Sequence, residues 1–318
     1  MQRRRVMKNV IRLHRVQAAE FGRGLHAAIV GELESTLAVV SSNEDPAKQV
    51  HDARKHLKRW RALVRLLPAS IRARLRREEN ALHVLARRLG RVRDPIAEQE
   101  TWRDFAAKPR AGAATNDVPQ LLAERAERVA NGIRVRRLLA RASRMLHAAR
   151  PGVSRALANR PLLEKPGIGA LCRHARKSYG KARRALLVAL ATTTSETVHA
   201  LRRANKVHQY QLEFFQPLWE KPLKAQRKRA SALSDTLGTH HDLTSIAELL
   251  WRERRAQPLA FAAELAQIER SKAELEQCGF HSARLIYAET PRAFARRLRA
   301  YLCESLRNDG AGSSAAAE

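Results

Sequence analysis

The sequence repeats one pattern at a constant separation of 148 residues. The segment VHDARKHLKRWRALVRLL begins at Val50, and VHALRRANKVHQYQLEFF begins at Val198. Farther along the chain, LGRVRD begins at Leu89 and LGTHHD begins at Leu237. Two separate segments that share one register indicate that a whole structural unit is duplicated. We therefore expect two similar units within the 318 residues.

Helical periodicity runs along nearly the whole chain, and no convincing alternating pattern of a β-strand interrupts it. Ala, Leu and Arg dominate the composition, and these residues favour helices because they lose little rotamer freedom there. The sequence predicts an all-α protein of two tandem antiparallel helical bundles related by pseudo-twofold symmetry. The first bundle is expected over residues 1–150 and the second over 168–306, with a linker at 151–167 and a disordered tail at 307–318.

The repeated Leu-Gly blocks contain predicted helix boundaries. We expect one helix to end at Gly90, since glycine commonly follows the last helical turn. A short separate helix should follow, with Asp94 as its N-cap and Pro95 at its first position. In the second repeat, Asp242 is expected to cap a separate helix in the same way.

The charge balance is the most unusual feature of the composition. Lys and Arg total 61 against 31 Asp and Glu, for a formal net charge of +30. Only 13 of the basic residues are Lys, and the planar guanidinium of Arg matches the oxygens of a phosphate group. Since so many like charges repel one another, an anionic partner would relieve the imbalance. Nucleic acid, inorganic polyphosphate and an anionic membrane surface are the candidates, although a GC-rich genome also produces Arg-rich proteins.

The cysteines and the apolar segments indicate an intracellular protein. Cys172, Cys278 and Cys303 are far apart and no Cys-x-x-Cys pair occurs, so neither a disulfide framework nor a zinc site is indicated. No apolar run approaches membrane-spanning length, and the N-terminus lacks the uninterrupted apolar core of a secretory signal. We expect a cytoplasmic protein without membrane insertion, whose oligomeric state the sequence does not indicate.

The first repeated segment places its basic residues along one face of a helix. At about 100° per residue, Arg54, Lys58, Arg61 and Arg65 fall within roughly 60°, and His51 extends the arc to roughly 80°. The apolar residues of the segment occupy a neighbouring face, which is the expected core side. Like charges four residues apart repel, and no acid interrupts this face. The arrangement therefore favours anion binding over an ordinary solvated surface, where acids and bases alternate.

The second repeated segment keeps part of this basic face. His199, Arg202 and Lys206 stand 148 residues after three members of the first face, and Arg203 stands at the position of Lys55. Two further positions of the first face carry Gln and Glu in the second, and Asn and His replace apolar residues of its core side. If the two faces serve one extended ligand, they should lie opposite each other across a shared groove or pore.

The two blocks together resemble a known family. HDARKHLKR followed by LGRVRD, and then HALRRANK followed by LGTHHD, are similar to the CHAD family, the conserved histidine α-helical domain. The similarity covers about residues 10–306, and the chain resembles members in which this domain stands alone. The resemblance implies two helical bundles packed about a pseudo-dyad, with a strongly basic central groove or pore that binds inorganic polyphosphate.

The residues expected to bind polyphosphate combine this resemblance with the basic faces. They are His51, Arg54, Lys55, Lys58, Arg59, Arg61, Arg65, Arg93, His199, Arg202, Arg203, Lys206 and His241. Ala200 replaces the acid that follows the first histidine, and Val207 replaces a cation, so we expect the second repeat to bind more weakly. Whether the two signature histidines contact the ligand, or only form hydrogen bonds within their bundles, stays open at this point.

Nucleic-acid binding, or an architectural role in a granule, is the main alternative, because the same basic surface suits a nucleic-acid backbone. Proteins that bind single strands usually add aromatic stacking platforms. Aromatic residues make up only 5% of this chain. The composition therefore favours polyphosphate over sequence-specific RNA, and non-specific binding of nucleic acid stays open as an alternative.

A metal-dependent phosphohydrolase agrees less well with the sequence. His51-Asp52 and the run that begins at His240 contain residue types that bind divalent metals. However, His240 and His241 are adjacent and cannot face one ion together on a helix, the counterpart of His241 is Arg93, and no Gly-rich phosphate loop occurs. We expect a non-enzymatic protein with no cofactor and no metal site, associated with polyphosphate granules.

Overall fold

The computed structural model describes residues 18–107, 117–158, 165–254 and 260–314, and within them it contains helices and no strand. The predicted all-α class is thereby confirmed. The helices are α1 (Ala18–Val40), α2 (Pro46–Val64), α3 (Ala69–Arg74), α4 (Arg76–Ala106), α5 (Asp117–Ala130), α6 (Gly132–Leu157), α7 (Lys165–Ala191), α8 (Ser195–Phe215), α9 (Glu220–Arg254), α10 (Ala262–Ile286) and α11 (Pro291–Ser314). A short 3₁₀ turn, Gln216–Leu218, connects α8 to α9.

The repeat in the sequence recurs as a repeated order of helices. By the 148-residue offset, α1, α2 and α4 correspond to α7, α8 and α9. In each half the first of these helices packs against the second, and the second packs against the third. The signature helices α2 and α8 pack against each other, and so do α4 and α9, which carry the Leu-Gly blocks.

The hydrophobic core is shared between the two repeats. One cluster of buried residues includes Leu57 and Trp60 of α2 together with Leu201 of α8. A second cluster joins Trp102 of α4 to Ile246 of α9. Because both clusters take side chains from both sides of the predicted linker, each repeat covers apolar surface that the other would expose to water.

The signature helices begin at capped residues. Before α2, the Asp45 side chain accepts a hydrogen bond from the backbone N–H of Lys48 at 2.9 Å, and Pro46 opens the helix as predicted. Before α8, Thr194 and Thr197 form a reciprocal capping box. Since both N-termini are fixed in this way, the basic residues in the following turns have defined positions.

The predicted breaks in the Leu-Gly blocks are wrong, because α4 and α9 pass through them without interruption. Gly90, Asp94 and Pro95 all lie inside α4, and Asp242 lies inside α9. Neither aspartate is therefore an N-cap. Proline removes only its own N–H from the helical ladder, and buried side chains before and after it, including Trp102, hold α4 in the core.

The ends of the predicted units also differ from the structure. α6 reaches Leu157 and α7 begins at Lys165, so the predicted linker is helical at both ends, and residues 159–164 lie outside the described part. α11 continues to Ser314 through most of the predicted tail, because each residue added to a formed helix gains a hydrogen bond. Residues 1–17, 108–116, 255–259 and 315–318 also lie outside the described part. None of the helices within the described residues is long and apolar enough to cross a membrane.

Candidate polyanion-binding site

The basic faces of α2 and α8 lie against each other, as expected if they serve one site. The Arg59 guanidinium on α2 donates a hydrogen bond to the Glu213 carboxylate on α8, with 2.9 Å between Nη2 and Oε1. Lys58 lies close enough to Arg202 and Lys206 for their charges to affect its ionisation. We call the six residues that converge here the central cationic cluster: Arg54, Lys58, His199, Arg202, Lys206 and His241.

The Lys58 ammonium lies in a strongly positive and partly dehydrated environment. The pKa of Lys58 is lowered from 10.5 to about 7, mainly by burial, and then by Arg54, Arg202 and Lys206, while Asp94 opposes them. Half of the Lys58 side chains are therefore neutral near pH 7 in the free protein. A bound anion would favour the charged form of Lys58. A negative ligand would thus gain a favourable interaction with the cluster.

Two neutral histidines stand beside these cations. The rings of His199 and His241 have their centroids 4.3 Å apart. Burial lowers the pKa of each to about 4; the next largest effects come from His241 on His199 and from Arg202 on His241. The buried Nδ1 of His199 has no hydrogen-bond partner among the described residues. No hydrogen bond within the described residues therefore holds this nitrogen, and the ring lies near Arg202 and Arg203.

The Leu-Gly blocks make room for the arginines of the signature helices. A β-carbon at Gly90 would collide with the Arg54 guanidinium, which lies over the α4 backbone and pairs with the Asp94 carboxylate at 3.0 Å. At the equivalent place in the second repeat, a β-carbon at Gly238 would lie 3.6 Å from Arg202 Nε. Both repeats therefore pack an arginine of the signature helix onto a glycine of the next long helix, and α4 and α9 position these charges.

The aspartates of the Leu-Gly blocks face the cluster and do not cap helices. Asp94 is 58% exposed at its side chain, whereas its partner Arg54 is only 17% exposed. Asp242 accepts a hydrogen bond from the Thr101 hydroxyl at 3.2 Å. Burial raises the pKa of Asp242, and the charge of Arg202 opposes this rise. Asp94 thus orients Arg54, whereas Asp242 is held by Thr101, and the cluster keeps more cations than anions.

Further predicted residues form a rim around the cluster. Arg93 Nε donates a hydrogen bond to His51 Nδ1 at 3.0 Å, and its Nη2 donates to Glu100 Oε2 at 2.6 Å. Burial and then the Arg93 charge lower the pKa of His51. Lys55 and Arg203 are exposed at the edge. His51 is thus held by a neighbouring side chain, whereas its counterpart His199 is not.

Arg61 and Arg65 lie outside the central cationic cluster. They continue the basic face of α2 towards its C-terminal end, where the nearest acid is Glu79 at the start of α4. Burial is the main cause that lowers the pKa of each guanidinium, and for Arg65 the next causes are Arg61 and Arg72. The face predicted as one continuous set of cations therefore divides between two places in the fold.

Sequence reasoning missed three features of the site. The two glycines of the Leu-Gly blocks were interpreted as boundaries or ignored, although their recurrence at one offset is the signal for a shared packing role. Tyr210 is nearly buried, and both Arg59 and Lys206 lie 5.7 Å from its ring centroid. Glu213, seen in the sequence only as a lost cation, is the ion-pair partner of Arg59.

The residues considered for metal binding are not arranged around a common point. Nowhere in the described parts of the chain do three or more His, Cys, Asp or Glu side chains group so that they could hold one ion. His240 instead forms a 2.7 Å contact with the Glu276 carboxylate on α10.

The comparisons with known proteins agree with the fold. The CHAD domain family model matches residues 26–251, which is more than half of the chain, so the protein belongs to the CHAD domain family. The crystal structure of the CHAD domain from the plant Ricinus communis is similar to this structure, with a TM-score of 0.53 and 20% sequence identity. The match covers 86% of this chain and 92% of the plant chain. None of the curated proteins matches the sequence at a significant level.

Proposed function

We propose that the central cationic cluster binds inorganic polyphosphate and that the protein is a non-enzymatic binding module. The observation that carries this proposal is the meeting of Arg54 and Lys58 with Arg202 and Lys206, two cations from each repeat. Burial and then the charges of Arg54, Arg202 and Lys206 lower the pKa of Lys58 to about 7. A linear polyanion with phosphate oxygens on all sides would satisfy both pairs at once and release bound counterions.

The placement of aromatic residues favours polyphosphate over nucleic acid as the partner. Single-stranded nucleic acids gain much of their affinity from bases stacked on exposed aromatic rings. Trp60 and Tyr210, on the signature helices, are buried, and the large aromatic side chains that are well exposed within the described residues, Trp219 and Trp251, belong to neither basic face. The cluster thus offers charge and hydrogen-bond donors, which a phosphate chain needs, without a platform for bases.

A competition titration tests the proposal. The purified protein would be titrated with long-chain polyphosphate, heparin and single-stranded RNA at equal concentrations of anionic groups and at several salt concentrations. We expect polyphosphate to displace RNA at a far lower phosphate-equivalent concentration, and log affinity to fall linearly with log salt. Equal displacement by the three polyanions would instead support a general polyanion-binding protein, and affinity that does not depend on salt would contradict the proposed site.

The non-enzymatic role and the location form the second part of the proposal. Incubation with polyphosphate and Mg²⁺ or Mn²⁺ should release no phosphate above the rate without protein, because the cations of the proposed site hold phosphate oxygens and supply no nucleophile. In cells we expect the protein at cytoplasmic polyphosphate granules. A fluorescent fusion should leave the granules when Arg54, Lys58, Arg202 and Lys206 are replaced together.

A further inference from the structure

A second basic region lies beside α8, away from the central cationic cluster. It is a cavity of about 280 Å³ between the end of α2, α3, α7 and α8, which we call the side pocket. At about 100° per residue, its lining residues Ala204 and Val207 are turned about 100° or more around α8 from Arg202 and Lys206. The full set of residues that line the side pocket is Arg65, Arg72, His174, Lys177, Ser178, Lys181, Ala204 and Val207.

The equivalent space in the first repeat is filled by two ion pairs. His56 on α2 contacts the Glu32 carboxylate on α1, with 2.6 Å between Nδ1 and Oε2, and both residues are buried. Arg59 on α2 pairs with Glu213 on α8 at 2.9 Å. On this side, carboxylates therefore lie in direct contact with the basic groups.

All four partners of these pairs are different at the positions related by the repeat. Ala204 stands where the first repeat has the histidine, and its small side chain leaves room for the side pocket. Gly180, at the position of the glutamate, lies against Pro291. Val207 replaces the arginine of the other pair, and Arg65 stands where the second helix has its glutamate. Both carboxylates are thus lost, and one of them is replaced by a cation.

Further basic groups add to the positive charge of the side pocket. Lys177 and Lys181 on α7 stand one helical turn apart on the same wall as His174. Burial lowers the pKa of His174, and then Lys177 and Arg72 lower it further, so these groups lie close together. Among the described residues that line the side pocket none is acidic, and the ion pair found at its edge joins Arg72 to Glu79 at 3.7 Å. A small cavity with this charge needs a compact anion.

We propose that the side pocket binds a short oligophosphate of two or three linked phosphate groups, independently of the central cationic cluster. Four Arg and Lys side chains converge from α2, α3 and α7 on a cavity of about 280 Å³, which lies below or at the low end of the usual size of small-molecule sites. Arg65 and Arg72 supply planar donors for phosphate oxygens, and the two lysines supply point charges. The site goes beyond the proposed function, because it takes a small ligand and lies on another face of α8.

Isothermal titration of the full chain with inorganic pyrophosphate and tripolyphosphate tests this site. The double variant Lys177→Ala with Lys181→Ala should lower affinity for both by about tenfold or more, since it removes two charged hydrogen-bond donors. A second variant, Arg65→Glu with Val207→Arg, recreates the ion pair of the other side and should close the pocket with the same loss. The matched control, Arg54→Gln with Lys58→Gln, should leave the affinity for pyrophosphate within about twofold.

The outcomes separate this site from the proposed function. If neither ligand binds the unaltered protein, or if only the control variant loses pyrophosphate, the side pocket is not an oligophosphate site. If the lysine variant also weakens the binding of long-chain polyphosphate by more than about twofold, the two sites are not independent and the proposal fails. Pyrophosphate binding that depends on the lysines would support the side pocket even if long-chain polyphosphate does not bind at all.

Discussion

The signature helices α2 and α8 are alike on the side that faces the central cationic cluster and unlike on the side that faces the core. On α2 the core positions carry Leu57 and Trp60, both fully buried in an apolar cluster. The same positions on α8 carry Asn205 and His208, which are also buried. The sequence predicted a more polar flank there, whereas the structure encloses these polar side chains completely.

The second core accommodates Asn205 by hydrogen bonds and His208 by contacts with aromatic rings. The Asn205 amide donates to the Ala230 carbonyl at 2.7 Å and to the Ser234 hydroxyl at 2.8 Å, and its oxygen accepts from the Tyr287 hydroxyl at 2.7 Å. His208 packs among aromatic rings, and burial lowers its pKa to about 3, so it is neutral. The comparison shows that the duplicated unit keeps the Arg and Lys of the central cationic cluster on both signature helices, while the residues on the core side diverge.

The largest expected effect tests whether the cations of α2 and those of α8 contribute equally to polyphosphate binding. Replacing Arg54, Lys58, Arg202 and Lys206 together by Gln should lower the slope of log affinity against log salt by about 4 and weaken polyphosphate binding by about a thousandfold. Each pair alone should lower the slope by about 2, because each repeat supplies two cations to the cluster. From the sequence alone, the second pair was expected to matter less.

A control for net charge is available on α6. Four arginines of this helix are exposed and lie outside the cluster as defined above, so replacing them by Gln removes the same charge without changing a cluster residue: Arg134, Arg136, Arg137 and Arg141. This variant should keep most of the affinity. If it weakens binding as much as the cluster variant does, the whole surface binds the ligand and the cluster has no special role.

The next effect concerns the unlike cores, measured as the free energy of unfolding in urea. Leu57→Asn should lower it by about 3 kcal/mol or more, because the amide would be buried without partners. Asn205→Leu should lower it by about 2–3 kcal/mol, because the Tyr287 hydroxyl would lose its acceptor. Polyphosphate affinity should change by less than about twofold in the folded variants. A more stable Asn205→Leu variant would show that the polar network does not stabilise the fold.

The sequence was sufficient to predict what depends on nearby residues. The helical class, the Asp45 cap and the basic face of α2 follow from periodicity and spacing within a few turns. The breaks at Gly90 and Pro95 were predicted wrongly, because what keeps α4 continuous there is contact with Arg54 and with the core. The enclosure of Asn205 likewise depends on Tyr287, 82 residues farther along the chain. Such long-range contacts leave no local pattern in one sequence.

A smaller effect compares the two packing glycines. Gly90→Ala and Gly238→Ala should each stabilise a helix interior by up to about 1 kcal/mol. In Gly90→Ala the new methyl group would displace the Arg54 guanidinium, so polyphosphate affinity should fall by about tenfold, as when one charge-assisted contact is lost. In Gly238→Ala it would meet Arg202 at an ordinary contact distance, and affinity should be unchanged. Equal effects of the two changes on binding would refute this difference between the repeats.

The smallest effect is in the pH dependence of binding. Because the pKa of Lys58 is about 7 in the free protein and a polyanion favours the charged form, affinity should fall by about tenfold at most between pH 6 and 8. Calorimetry in buffers of different ionisation enthalpy should detect proton uptake above pH 7. Lys58→Arg should remove this dependence, whereas Lys206→Arg should remove less, since Asp235 supports the charge of Lys206. If polyphosphate affinity depends on pH in Lys58→Arg as it does in the unaltered protein, the proton taken up on binding belongs to another group.

Lys58 also affects the stability of the ligand-free protein. Its pKa is lower in the folded chain than in the unfolded chain, so the unfolded chain binds more protons between about pH 7 and 10.5. The contribution of Lys58 to the free energy of unfolding therefore rises as pH rises through that window. Lys58→Met should stabilise the free protein by roughly 1 kcal/mol near pH 7 while it weakens binding. A less stable variant would indicate that the aliphatic part of the Lys58 side chain stabilises the fold by packing more than the buried charge destabilises it.

The core shared by the two repeats has a consequence for synthesis of the chain. Translation proceeds at about 5–20 residues per second, so α8 emerges roughly 7–30 s after α2, which precedes it by 148 residues. During that interval the first repeat lacks the side chains of α8 and α9 that complete both hydrophobic clusters. Its cations then stand beside the RNA of the ribosome without Glu213, the carboxylate that pairs with Arg59 in the finished fold. The cations of the nascent chain are thus most accessible to ribosomal RNA before the proposed polyphosphate site is complete.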